Sequence, residues 1–137
     1  MAATYNNLYL DARKRLREAG VEGAQLEARE LVCCAAGKSR EQFYRDMALY
    51  ASDPVEEKLA ELLERRLAGE PVAYLIGEWE FYGLGLDITP DVLIPRMDTE
   101  VLAERAILLA RAAGEGARVL DLCAGSGCVG QIGRAHV

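Results

Sequence analysis

The chain has 137 residues, a net charge of −6, 51% hydrophobic and 28% charged residues, a balance that excludes disorder and suits one domain, or a small domain plus part of another. The acidic excess argues against a broad footprint on nucleic acid, and no apolar run approaches the ~20 residues that cross a membrane. The N-terminus MAATYNNLYLDARKRL has no basic start followed by an apolar core, so no signal peptide is read and the cytosol is the expected compartment.

The first part of the chain reads as short helices. From Thr4 to Ala19, Leu8, Ala12 and Leu16 recur every four residues beside Tyr5 and Tyr9, an amphipathic helix closed by Gly20. A second helix is predicted from Gln25 to Ala36, with Leu26, Leu31, Val32 and Ala35 as its apolar side and Gly37 as its end. Cys33 and Cys34 fall within it and are read as small packed hydrophobes with free thiols. Ser39 with Gln42 fits a capping box opening a third helix that carries Phe43, Tyr44 and Met47. Asp53 before Pro54 predicts a cap and a fourth helix, with Glu56 favouring its positive end and Leu59, Leu62, Leu63 and Leu67 as its stripe. Arg65 and Arg66 are expected on a solvent face near Glu61 and Glu64. Gly69 and Pro71 mark the stop. None of these helices buries its stripe alone, so a small bundle follows.

The pattern then changes. Trp79 and Phe81 alternate with polar residues, and after Gly83 so do Leu84, Leu86 and Ile88, a hairpin signal. Pro90 and Pro95 bracket an extended connection. Thr99 and Glu100 open another helix, with Val101, Leu102, Ala106 and Leu109 on one side, ended by Gly114 and Gly116. The apolar run Arg118 to Leu122 suits a buried strand. These signals divide the chain into a helical module over 1–70, a hairpin linker over 71–97, the start of an α/β domain over 98–130, and a terminal segment over 131–137.

The strand leads into a glycine-rich turn, Asp121-Leu122-Cys123-Ala124-Gly125-Ser126-Gly127. Glycines there permit a sharp turn and close approach of a ligand to the backbone, and the amides of a following helix start favour electron-rich groups. Such a turn serves S-adenosylmethionine and dinucleotides alike. Gly125, Gly127 and Gly130 also satisfy G-x-G-x-x-G, which leaves a nicotinamide-dependent oxidoreductase open, and residues 1–70 alone could be a non-enzymatic binding module. Cys123 and Cys128 fit no common zinc spacing, and with His136 the single histidine no metal site is expected.

Three blocks together are more specific. Arg65-Arg66-Leu67-Ala68-Gly69-Glu70-Pro71-Val72-Ala73-Tyr74-Leu75-Ile76-Gly77 leads into Glu80-Phe81-Tyr82-Gly83-Leu84. Leu93-Ile94-Pro95-Arg96-Met97-Asp98-Thr99-Glu100 follows, and then the glycine turn. In this order they resemble the peptide chain release factor N5-glutamine methyltransferase family. The resemblance implies a helical N-terminal domain that binds release factors, a hairpin, and the start of an α/β Rossmann-like methyltransferase domain. It implies S-adenosylmethionine as methyl donor, and as acceptor the side-chain amide nitrogen of the glutamine in the Gly-Gly-Gln motif of class I release factors, an activity in translation termination. By the same resemblance Asp121, Leu122, Cys123, Ala124, Gly125, Ser126, Gly127 and Phe81 bind or approach the cofactor, and Arg96, Asp98, Thr99 and Glu100 stand near the substrate.

Two departures follow. Met97 stands where the family has a proline, which restores backbone freedom. The family's Asn-Pro-Pro-Tyr motif, which holds the target amide, and the acidic residue that grips the cofactor ribose do not occur after the turn. No catalytic residue is therefore assigned, and the chain reads as an inactive, truncated member. Ile-Gly-Arg-Ala-His-Val at the end matches one reading frame of a common sequencing-adapter oligonucleotide, so residues 131–137 are expected to be a non-native polar tail.

Overall fold

The computed structural model describes residues 3–136, which form two compact units divided between Ile76 and Gly77. The first is a helical bundle of α1 (Tyr5–Glu18), α2 (Ala24–Ala36), α3 (Arg40–Asp46), α4 (Asp53–Leu67) and the short α5 (Val72–Ile76). The Thr4 hydroxyl accepts from the Asn7 amide at 3.2 Å and opens α1. Gly37, in the left-handed region, closes α2: the Gly37 and Lys38 amides donate to the Cys34 and Cys33 carbonyls. The capping box of α3 is formed, with reciprocal bonds between Ser39 and Gln42.

Helix α2 is the centre of this bundle. Ala28, Leu31 and Val32 are fully enclosed, and Ala24, Cys33 and Ala35 are buried around them. Helices α1, α3, α4 and α5 all pack on α2, bringing Leu16, Phe43, Leu59, Leu63, Val72 and Ala73 into one core. Burial, and then the neighbouring Glu30 charge, push the Cys33 thiol up to about 11, so it stays protonated and inert at neutral pH.

Four local expectations are corrected. Leu26 is partly exposed, because α2 turns its Ala28, Leu31 and Ala35 side to the bundle. Ser52, not Asp53, is the N-cap of α4, and its side chain makes no capping bond; Pro54 falls in the first turn and Glu56 instead accepts from the Ala3 amide at 3.0 Å. Arg66 is not on a solvent face: its guanidinium forms a largely enclosed pair with Glu27 of α2, Nε to Oε2 at 2.5 Å. Arg65 is more exposed and forks onto Glu70 at 2.8 and 2.6 Å. Finally, α4 stops before Gly69 and Pro71 as read, but the start of the segment read as hairpin linker is helical: Pro71 precedes α5, whose Val72 and Ala73 are buried, and the first unit runs to Ile76.

Asp46 is the only buried charged side chain among the described residues. Its carboxylate accepts from Lys38 Nζ at 2.7 Å and from Arg45 Nε at 2.8 Å, and Lys38 Nζ also lies 5.1 Å from the centre of the Tyr5 ring. This knot joins the start of α1 to the end of α3.

The second unit holds the hairpin β1 (Glu78–Phe81) and β2 (Leu84–Asp87), then α6 (Asp98–Ala113) and α7 (Cys128–His136). The strands pair antiparallel, with Glu78 opposite Asp87, Trp79 opposite Leu86, Glu80 opposite Gly85 and Phe81 opposite Leu84. Tyr82 and Gly83 both have positive φ, 49° and 79°, the geometry of a two-residue turn matched to the twist of a hairpin. Phe81, Ala103, Ile107 and Ile132 form the core of this unit, with Tyr82, Leu86, Cys128 and Val129 packed against it.

Three expectations fail here. The run Arg118 to Leu122 is not a strand; Val119, Leu120 and Leu122 are 72, 82 and 78% exposed, because no neighbouring strand among the described residues supplies the ladder that would hold them. Helix α6 buries Ala103, Ile107 and Ala110, while Val101, Leu102 and Leu109 of the predicted stripe are exposed. It is apolar on two faces, and α7 covers the one carrying small residues. The segment read as a polar tail lies within α7 up to His136, where Ile132 is fully buried. The cause is a short stripe, Cys128, Val129 and Ile132, that finds α6. Arg111 fastens the helix end, its guanidinium donating to the His136 carbonyl, from Nε at 2.9 Å and from Nη2. Val137 lies outside the described residues.

Two outcomes follow. A chain ending at Ile76 should give a helical circular dichroism spectrum and a cooperative melt, and one ending at Gly69 should melt lower, since losing a buried Val72 alone costs roughly 1.5–3 kcal/mol; equal melting temperatures would deny α5 its place in the bundle. Hydrogen bonds from Arg45, then Lys38, hold the Asp46 carboxyl below the usual carboxylate range. A depressed carboxylate contributes stability fully present above its unfolded pKa of about 3.9 and lost as pH falls toward its folded value. The melting-temperature gap between wild type and Asp46→Asn should therefore be widest near neutrality and close at lower pH.

Candidate functional site

The glycine turn lies between the extended run after α6 and the start of α7. The Gly127 amide donates to the Ala124 carbonyl at 2.9 Å, and the Gly127 carbonyl accepts the first helical bond of α7, from Gln131, at 2.9 Å. Gly125 and Gly127 have φ of 57° and 77°, and Cys123 shares this conformation at 59°. A side chain at Gly125 or Gly127 would meet no atom within 4 Å. The turn thus presents open backbone, and its glycines are required by conformation rather than by crowding. Gly130 differs: a Cβ there would stand 3.3 Å from Asp121 Oδ2, so the Asp121 carboxylate rests against the first turn of α7.

Asp121, Leu122, Cys123, Ala124, Gly125 and Ser126 are exposed and Gly127 half-buried. A recess of about 240 Å³ joins this turn to the hairpin, lined by Gly85, Leu86, Asp87, Ile88, Ser126, Cys128 and Gln131. Of the residues that the sequence assigned to a cofactor, only Ser126 lines it. The second half of β2 and Gln131 are lining residues that sequence reasoning missed. Gly85 was the available signal, since a strand glycine marks close approach: the Glu78 carboxylate would lie 2.7 Å from a Cβ at that position.

Phe81 is 1% exposed and enclosed by Ala103, Ile107 and Ile132, so it presents no surface to a ligand here. The other four assigned residues cluster at the start of α6. Arg96, Met97 and Asp98 are exposed, and Thr99 and Glu100 half-buried. The Thr99 amide donates to the Arg96 carbonyl at 3.0 Å. Glu100 is engaged elsewhere: its Oε1 accepts from the Tyr82 amide at 2.8 Å. No group of His, Cys, Asp and Glu able to hold a metal occurs among the described residues. Among the described residues no helix is long and apolar enough to cross a membrane.

Residues 7–77 match the family model described as the PrmC N-terminal domain. Among curated relatives, the "Release factor glutamine methyltransferase" of Bordetella pertussis is 48% identical over 111 residues, covering 77% of this chain and 38% of the relative. That of Haemophilus influenzae is 41% identical over 112 residues, covering 79% of this chain and 38% of the relative. That of Nitratidesulfovibrio vulgaris is 39% identical over 131 residues, covering 93% and 42%. The chain spans about two fifths of the length of these relatives.

The glycines make a structural prediction with opposite signs. Gly127→Val forces a β-branched residue into the left-handed region and should cost about 1–2 kcal/mol. Gly133→Ala, inside α7 with open space around it, should add roughly 0.5–1 kcal/mol of helix stability. Thermal melts followed at the helix band check both; a neutral Gly127→Val would remove the conformational argument for the turn.

Proposed function

We propose, for a chain that belongs to the release factor glutamine methyltransferase family, that it is the front part of an S-adenosylmethionine-dependent protein-(glutamine-N5) methyltransferase acting on class I release factors. The observation that carries the cofactor half of this reading is the open glycine turn. Its left-handed Gly125 and Gly127 leave the backbone bare, and it borders a recess walled by β2. That arrangement fits a ligand pressed against main-chain amides, as at the first turn of a Rossmann-like domain. When bound, S-adenosylmethionine supplies an electrophilic methyl group on a sulfonium.

In this reading residues Asp121 to Gly127 hold the donor, with Ser126 and the β2 wall bounding it. The exposed Arg96 and Asp98, with Thr99, face the acceptor side. The first unit is the surface that engages the release factor, and cytosolic translation termination is the setting. An amide nitrogen is a weak nucleophile because its lone pair is delocalised, so transfer depends on fixing donor and acceptor in line. The chain carries no Asn-Pro-Pro-Tyr sequence to hold the target amide, and its turn is unsupported by a strand. We therefore assign these 137 residues no transfer activity of their own. The self-contained core of the first unit favours one narrower reading, a binding module that engages its partner without chemistry.

Two measurements on the 137-residue chain test this. Calorimetry with a purified class I release factor should detect binding, and a flat titration would sink the partner assignment. Radiolabelled methyl transfer from S-adenosylmethionine to that factor should stay at the no-enzyme control, and label above it would overturn the inactivity.

A further inference from the structure

Tyr82 is in an unfavourable place. It occupies the first position of the hairpin turn at φ 49°, a conformation that a Cβ disfavours and that is usually left to Gly, Asn or Asp. A strained non-glycine residue persists where its surroundings hold it. Its amide donates to Glu100 Oε1 at 2.8 Å, and its ring meets the His136 ring edge-on, with centroids 5.3 Å apart. Glu100 lies in the first turn of α6. Ala103 and Ile107, three and seven positions on, share its helix face and bury the preceding hairpin residue, Phe81. One face of α6 thus makes two adjoining contacts with the hairpin, a charge-assisted hydrogen bond at the tip and an apolar contact at Phe81.

We propose that Glu100 is a positioning residue, a latch that holds the hairpin turn in its left-handed form on α6 and so fixes the strand pair walling the recess. Its carboxylate is committed to the Tyr82 amide, which separates it from Arg96 and Asp98 in the same block. Those two are exposed. The latch acts on the recess through β2: the turn sets the register that places Leu86 and Asp87 opposite Trp79 and Glu78, and Leu86 and Asp87 line the recess. Its consequence for catalysis rests on the methyltransferase reading; its geometry does not.

The test uses amide hydrogen exchange by NMR on the 137-residue chain. Glu100→Ala should speed exchange of the Tyr82 amide roughly ten- to a hundredfold, the range for losing a bond to a charged acceptor. Glu100→Gln keeps an oxygen acceptor and should recover most of the protection, whereas Glu104→Ala, on the exposed side of α6, should leave it as in wild type. Unchanged Tyr82 exchange in Glu100→Ala would overturn the latch. If Glu100→Ala does not fold, rescue decides: with the strain relieved by Tyr82→Gly, the Tyr82→Gly/Glu100→Ala double variant should recover a cooperative melt, and a double variant that stays unfolded would overturn the proposal. Neither readout uses methyl transfer, so a failed latch and a failed methyltransferase reading give different results.

Discussion

An amphipathic helix is stable in a small unit only if something covers its apolar side, and in the first unit that requirement converges on α2. Its inner face is built of Ala28, Leu31, Val32 and Ala35, small or branched residues that let other helices approach closely. Because four helices depend on this face, a short element such as α5 is stable there although five residues would not hold a helix in water. The polar links are arranged around the same helix. Glu27 takes Arg66 of α4, and Glu30 takes Arg29 and, at 3.0 Å, Arg40 of α3. Enclosed pairs of this kind fix which surfaces meet more than they add stability.

The second unit is organised by a smaller version of the same constraint. Phe81, Ala103, Ile107 and Ile132 make a core of four side chains, enough to seat the hairpin and α7 on one face of α6. The other face, with Val101, Leu102, Leu108 and Leu109, stays exposed, as does the run through Val119, Leu120 and Leu122. Both are surfaces that the proposed α/β domain would cover, since such a domain buries a central helix and strand on more than one side. The glycine turn keeps its shape without a strand beneath it because its conformation is set locally, by glycines and by the first bonds of α7.

This contrast explains why the site is only partly assembled from its motif residues. The turn is local, so D-x-x-x-G-x-G reads directly into geometry. The recess beside it is made by β2, forty residues earlier in the chain, and no motif records that approach except the glycine at 85. Family resemblance marks Phe81 and Glu100 as ligand neighbours, and their contacts in this structure join the hairpin to α6; a motif by itself does not distinguish such a packing role from ligand contact.

Periodicity and cap chemistry in the sequence determined the helices α1 to α4, the capping box of α3, the hairpin with its turn at Gly83, and the glycine turn, since each depends on residues within a few positions of one another. The three spaced blocks also carried the family. Tertiary structure alone decided which apolar face of α6 is covered, that Val72 to Ile76 joins the bundle, that Arg66 is enclosed by Glu27, and that residues 131–136 coil onto α6. It also decided that Val119 to Leu122 does not form a strand. The physical reason is the same each time: a stripe or a β-prone run states what must be buried or paired, but the partner is chosen by elements distant in the chain, and where no partner strand is present the ladder does not form.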